Sequence, residues 1–136
     1  MGIATEQTSS ETSDSDVISL TIPAAIRFVR LVRIAVASIA RRRGLSVRAI
    51  DDLRLAVDES FALLLGEHDH DGSVDVSFEV DAHELLVVMV ARTPNSTMLA
   101  TAESKLGFEV VLADLTDRFE ADPEQGVVQF SKLLKK

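Results

Sequence analysis

From residue 17 onward the apolar positions recur with two different periods, and each switch of period marks an element. Residues 17–22 alternate loosely, as a short strand does. Pro23 then stands where a helix can open without losing a needed donor. Ile26, Val29, Val32, Val36 and Ile39 recur at helical spacing, and Gly44, after three consecutive arginines, predicts the stop of a first helix. Ser46 is placed to cap a second helix that Gly66 ends. Within it Ile50, Leu53, Val57, Phe61 and Leu64 form one apolar stripe at about 100° per residue. Glu59 lies opposite that stripe, with Leu55 and Leu63 one turn away on either side and Ala56 and Ala62 flanking it. The same helix therefore has a second apolar face with a carboxylate set into it.

Beyond the polar turn at 67–72, Val74, Val76, Phe78 and Val80 alternate with Asp75, Ser77, Glu79 and Asp81, which predicts a strand with one wet face. Residues 81–84 read as a hairpin turn. The next run, 85–91, is continuously apolar and predicts a central strand covered on both faces. Residues 93–101 read as a loop containing Pro94 and Asn95. Gly107 is expected to precede or open a third helix, with Val110, Val111 and Leu115 on its core side, and 126–133 closes as a last strand. The order β, α, α, β, β, α, β predicts an α+β fold, a two-layer sandwich whose mixed, mostly antiparallel sheet has helices on one face.

Composition narrows the chemistry. With 136 residues, one domain and one core are expected. Residues 1–16 are polar and acidic and predict a disordered tail, leaving 17–136 as the folded domain. That opening stretch has no basic start and no apolar run of a secretory signal, and no apolar stretch approaches the roughly 20 residues of a membrane span, so a cytoplasmic protein without membrane contact is expected. Because the chain has no cysteine, disulfides, thiolate zinc sites and a cysteine nucleophile are excluded. Glu67, His68, Asp69, His70 and Asp71 are ligand types, but neighbours in a loop seldom converge on one ion, so a solvated turn and no metal are expected. The three histidines fall in the two hairpin turns, and no Ser/His/Asp arrangement stands out.

The net charge of −8 hides a segregation: residues 17–50 hold seven arginines and no acid, whereas 51 onward holds eighteen acids against seven bases. One basic face is expected. An acidic chain with no Trp or Tyr is ill suited to grip nucleic acid, so the arginines are read as a docking patch for an acidic protein partner.

The element order and the string DLRLAVDES on the second helix together resemble the anti-sigma factor serine kinases, most of all their actinobacterial branch, within the ATP-binding fold shared by gyrase, sensor histidine kinases and the large heat-shock chaperones. In that family a Glu on this helix acts as general base, and an Asn four residues later holds the magnesium on the ATP phosphates, which requires both on one face. By resemblance Glu59 matches the base. Leu63 stands at the Asn position, and a leucine cannot ligate magnesium.

The family also carries an Asp after the central strand, in an Asp-x-Gly-x-Gly segment, to accept from the adenine amino group. Here the segment reads ARTPNS, and no acid occurs between Glu84 and Glu103. Of the family's phosphate-binding glycines only Gly107 remains.

The resemblance therefore implies an anti-sigma regulatory protein that binds and inhibits a sigma factor, is displaced by an antagonist protein, and has lost ATP binding, so that no cofactor is expected. Contact candidates are Arg27, Arg30, Arg33, Arg41, Arg42 and Arg43. Members of the family often dimerise, which makes a homodimer an expectation. The alternative is an active protein serine kinase that phosphorylates the antagonist, with Glu59 as base and Mg-ATP held in another way.

Overall fold

The computed structural model describes residues 15–94 and 101–134. The elements are β1 (Asp16–Pro23), a single 3-10 turn (Ile26–Phe28), α1 (Val29–Arg42), α2 (Val47–Leu65), β2 (Ser73–Val80), β3 (Glu84–Arg92), α3 (Ala102–Leu115), β4 (Arg118–Asp122), a second 3-10 turn (Pro123–Gln125) and β5 (Val127–Leu133). The sheet has five strands in the order β1-β2-β3-β5-β4, and every neighbouring pair is antiparallel. The helices cover one face, giving the two-layer α+β sandwich that the periodicity predicts.

Helix ends lie where the local chemistry puts them. The Ser46 hydroxyl accepts from the Ala49 amide at 3.1 Å and so satisfies one orphan donor at the start of α2. Gly66 closes α2 by donating to the Ala62 carbonyl, and Gly44 ends the α1 turn by donating to that of Arg41. In the β2–β3 hairpin the Asp81 carboxylate accepts from the amides of His83 and Glu84, which holds its pKa below the usual carboxylate value.

The core is a single layer between sheet and helices. Val74, Val76, Phe78 and Val80 on β2 and Leu85, Val87 and Met89 on β3 point to the helices, and Val32, Val36, Leu53, Val57 and Phe61 meet them from α1 and α2. Lys132 is drawn into the seam, donating to the Leu115 carbonyl at 2.8 Å and to the Asp52 carboxylate at 3.3 Å, which ties the end of α3 to α2 and β5.

Four expectations change. A strand not foreseen, β4, lies on the edge beside β5: it has five residues, and only Phe119 and Ala121 turn towards the core, too short an alternation to stand out in the sequence. β3 is covered by helices on one face only. Leu86, Val88 and Val90 on the other face are half-buried by their cross-strand neighbours Glu79, Ser77 and Asp75 on one side and Ser131, Gln129 and Val127 on the other.

α3 begins at Ala102, five residues before Gly107, because Thr101 and Ser104 form a reciprocal capping box. Its core side is Phe108 and Leu112, with Leu115 packed against the core, whereas Val110 is 63% exposed and Val111 points outward with it. Finally, Asp16 pairs with Val80 as the first residue of β1, so the folded part starts one residue earlier than expected; residues 1–14 lie outside the described residues.

Candidate functional site

Glu59 is half-buried on α2, and Leu63, one turn further along, is 6% exposed and belongs to the hydrophobic core. Ala56 is buried with it, while Leu55 and Ala62 face outward, so the apolar surroundings of Glu59 are half core and half surface. Ser60 beside it is fully buried and donates its hydroxyl to the Ala56 carbonyl at 2.7 Å, a bond within the helix that uses its only donor proton. α3 packs against α2.

The phosphate end of that arrangement differs from the expectation. Gly107 lies in the second turn of α3, exposed, and a side chain added there would meet nothing within 4 Å. It therefore lies inside the helix rather than before it, and no neighbouring protein atom requires a glycine there. At the start of α3 the Ser104 amide donates to the Thr101 hydroxyl at 3.0 Å and the Thr101 amide to the Ser104 hydroxyl at 2.8 Å. Two amides of this helix start, those of Thr101 and Ser104, are thus used by the protein's own hydroxyls.

The segment after β3, where the family carries its adenine-binding acid, is described as far as Pro94. Two glycines with left-handed backbone hold its start. A side chain on Gly72 (φ +103°) would stand 2.0 Å from the Arg92 carbonyl oxygen and 2.9 Å from Pro94. One on Gly126 (φ +72°) would stand 2.9 Å from the carbonyl oxygen of Ala91, whose amide donates to Gly126 at 2.7 Å. This backbone approach has no hydrophobic signature and is not legible in the sequence, where the two glycines mark only a turn and a strand start.

Three of the arginines are engaged within the fold. Arg27 pairs with Asp69 at 2.8 Å, Arg33 with Asp58 on α2 at 2.6 Å, and Arg43 donates to the Asp81 carbonyl at 3.0 Å. Arg30, Arg41 and Arg42 are exposed and meet no acid among the described residues. Arg30, Arg33 and Arg41 are joined by Arg54 of α2 around a groove of about 520 Å³ floored by Ile34 and Ala37. Arg54 escaped the sequence reading because it stands in an acid-rich stretch, beside Asp51, Asp52 and Asp58.

The turn 67–72 is spent on the fold. Asp69 holds Arg27, the His70 ring nitrogen is 2.7 Å from the Leu65 carbonyl, and the His70 amide donates to that of Ala24. No group of three His, Cys, Asp or Glu among the described residues is arranged to hold a metal, and no described helix is long and apolar enough to cross a membrane. Other carboxylates are tuned by arginines on the helix-free face of the sheet. Arg118 donates to both oxygens of Glu84 and holds its pKa low, and Arg92, with the Thr21 hydroxyl, does the same for Asp75.

No family model matches the chain. Among curated proteins it is similar to the serine-protein kinase RsbW of Listeria innocua, 34% identical over 95 residues, which is 68% of this chain and 60% of that protein. The RsbW of Listeria monocytogenes is 32% identical over the same shares, and that of Halalkalibacterium halodurans 29% over 90 residues, 65% of this chain and 56% of that protein. The chain thus matches about three-fifths of the length of these relatives. With the helix string that resembles the anti-sigma factor kinases now joined to an α+β sandwich and to relatives of that name, the chain belongs to the family of the RsbW serine-protein kinases, of the histidine-kinase-like ATPase fold.

Proposed function

We propose that this chain is an anti-sigma regulatory protein that controls transcription by binding a sigma factor stoichiometrically, that an antagonist protein displaces it, and that it works in the cytoplasm without using ATP. The observation that carries the loss of ATP is Leu63, which by resemblance stands where the family has its magnesium ligand and which is packed in the core. An apolar side chain there offers no oxygen to a hard cation. The missing acid after β3 and the occupied amides at the start of α3 point the same way. Partner contact is assigned to the exposed Arg30, Arg41 and Arg42, with Arg27, Arg33 and Arg43 at its borders, since clustered positive charge speeds association with an acidic surface. A homodimer belongs to the same reading.

The test is co-purification of the full chain with each sigma factor of its host. Recovery of one in a fixed ratio, unaffected by nucleotide, is the expected result; recovery of none defeats the proposal.

A second reading is favoured by Glu59, retained at the general-base position, and by the names of the relatives: an active serine kinase acting on the antagonist. It predicts Mg-ATP binding at micromolar strength by titration calorimetry, and phosphoryl transfer that Glu59→Gln abolishes. The stoichiometric reading predicts no heat of binding and a Glu59→Gln protein that grips its sigma factor unchanged.

A further inference from the structure

We infer that the acidic segment at residues 1–14 docks in cis on the arginine-lined groove between α1 and α2. The groove combines Arg30, Arg33, Arg41 and Arg54 with an apolar floor of Ile34 and Ala37. Arg33 and Arg54 are answered by Asp58 and Asp51, but Arg30 and Arg41 meet no acid among the described residues. Ile34 is 55% exposed on the same stretch of helix, so the groove offers both positive charge and uncovered apolar surface. An acidic segment with some apolar character is the chemistry that fits it.

The chain itself supplies such a segment at the right end of the molecule. Residues 1–14 carry Glu6, Glu11 and Asp14, no base, and the apolar Met1 and Ile3. They lead into β1, whose first residue, Asp16, pairs with Val80. One residue beyond Val80, the Asp81 carbonyl accepts from Arg43, directly after the C-terminal end of α1. The acidic segment therefore enters the fold beside the arginine-rich end of α1.

Reach is ample. Fourteen residues span up to about 46 Å, whereas α1, at 14 residues, is about 21 Å long. Tethering turns weak surface ion pairs into an intramolecular contact at an effective concentration on the order of millimolar. The docked segment covers arginines that an acidic partner would use and so competes with it. That consequence rests on the proposed function; the docking does not.

The experiment uses the full chain alone. Because the chain has no cysteine, Ser9→Cys carries a single nitroxide label, and the amide signals of the 15N-labelled protein are compared with the label oxidised and reduced. The expected result at low ionic strength is selective intensity loss at Arg30, Ile34, Ser38, Arg41 and Arg54. The intensity returns at about 1 M salt, where the Debye length falls to about 3 Å, and in the double variant Arg30→Gln, Arg41→Gln, both exposed positions. Absence of broadening on α1 at low salt overturns the proposal. So does broadening that survives the arginine substitutions. Broadening that occurs only between a spin-labelled and a separate 15N-labelled copy overturns the docking in cis.

Discussion

Replacing Leu63 with asparagine would put back, at one position, the side chain that kinases of this family use to hold magnesium, and the structure sets the cost. Leu63 is 6% exposed and packs with the core. Losing a buried leucine side chain removes about 1.5–3 kcal/mol of burial, and an amide left there without partners costs about 1–3 kcal/mol more. We expect Leu63→Asn to lose about 3–5 kcal/mol, a large part of the about 5–15 kcal/mol that holds a domain of this size. In a thermal melt that is a fall of about 10–20 °C. Urea titration followed by circular dichroism gives the free energy directly, and Leu63→Ala, expected to lose about 2–5 kcal/mol, separates lost packing from the buried amide.

The decisive arm adds Mg-ATP. A ligand at a hundredfold excess over its dissociation constant stabilises the folded state by about 2.7 kcal/mol. We expect no such gain in the native chain or in Leu63→Asn. If Leu63→Asn loses less than about 1 kcal/mol and Mg-ATP then raises its stability, position 63 lines an open nucleotide site, and the packing argument is refuted.

The remaining predictions concern the elements that frame the site. Gly72→Ala sets a Cβ 2.0 Å from the Arg92 carbonyl oxygen at a left-handed φ; a loss of at least about 1–3 kcal/mol is expected in urea, and an unchanged midpoint would show that the segment after β3 is not held there. Ser46→Ala removes the cap of α2 and is expected to lose about 1 kcal/mol, whereas Ser46→Asp should keep most of it. Stability should also depend on acid. Glu84 and Asp75 have folded-state pKa values lowered by their arginines, so they contribute stability above their unfolded pKa values of about 4, and this is lost as pH falls through the lower folded values. Unfolding free energy is therefore expected to be flat from neutral pH to about pH 5 and to drop below about pH 4, with a shallower drop in Glu84→Gln. An equal slope in that variant would remove the Arg118 pair from the account.

Much of the architecture was legible because it is written in short-range periodicity. The 3.6-residue repeat of Ile50, Leu53, Val57 and Phe61, the Ser46 cap, the Gly44 and Gly66 stops and the strict alternation from Val74 to Val80 each depend on neighbours a few positions apart. The two-residue error of principle lay in α3. Val110 and Val111 are apolar but stand outside, because the rotation of that helix follows the burial of Phe108, edge-on to Phe119 of β4, and of Leu112 in the core rather than its own composition. β4 stayed hidden for a related reason: two inward residues on an edge strand acquire meaning only once β5 lies beside them.

For the candidate site the division is similar. The sequence alone determined that a leucine stands four residues after Glu59, that no acid follows β3 before Glu103, and that the arginines cluster ahead of residue 51; these are identities, and no fold can change them. Tertiary structure decided what the identities mean in space. It buried Leu63 in the core, moved Gly107 from a helix start to a helix interior, and divided the arginines between internal carboxylates and an open groove that Arg54 completes from another helix. The physical reason is that burial and ion pairing depend on distances between segments far apart in the chain. Periodicity reports which face of an element is apolar, but only packing determines what that face meets.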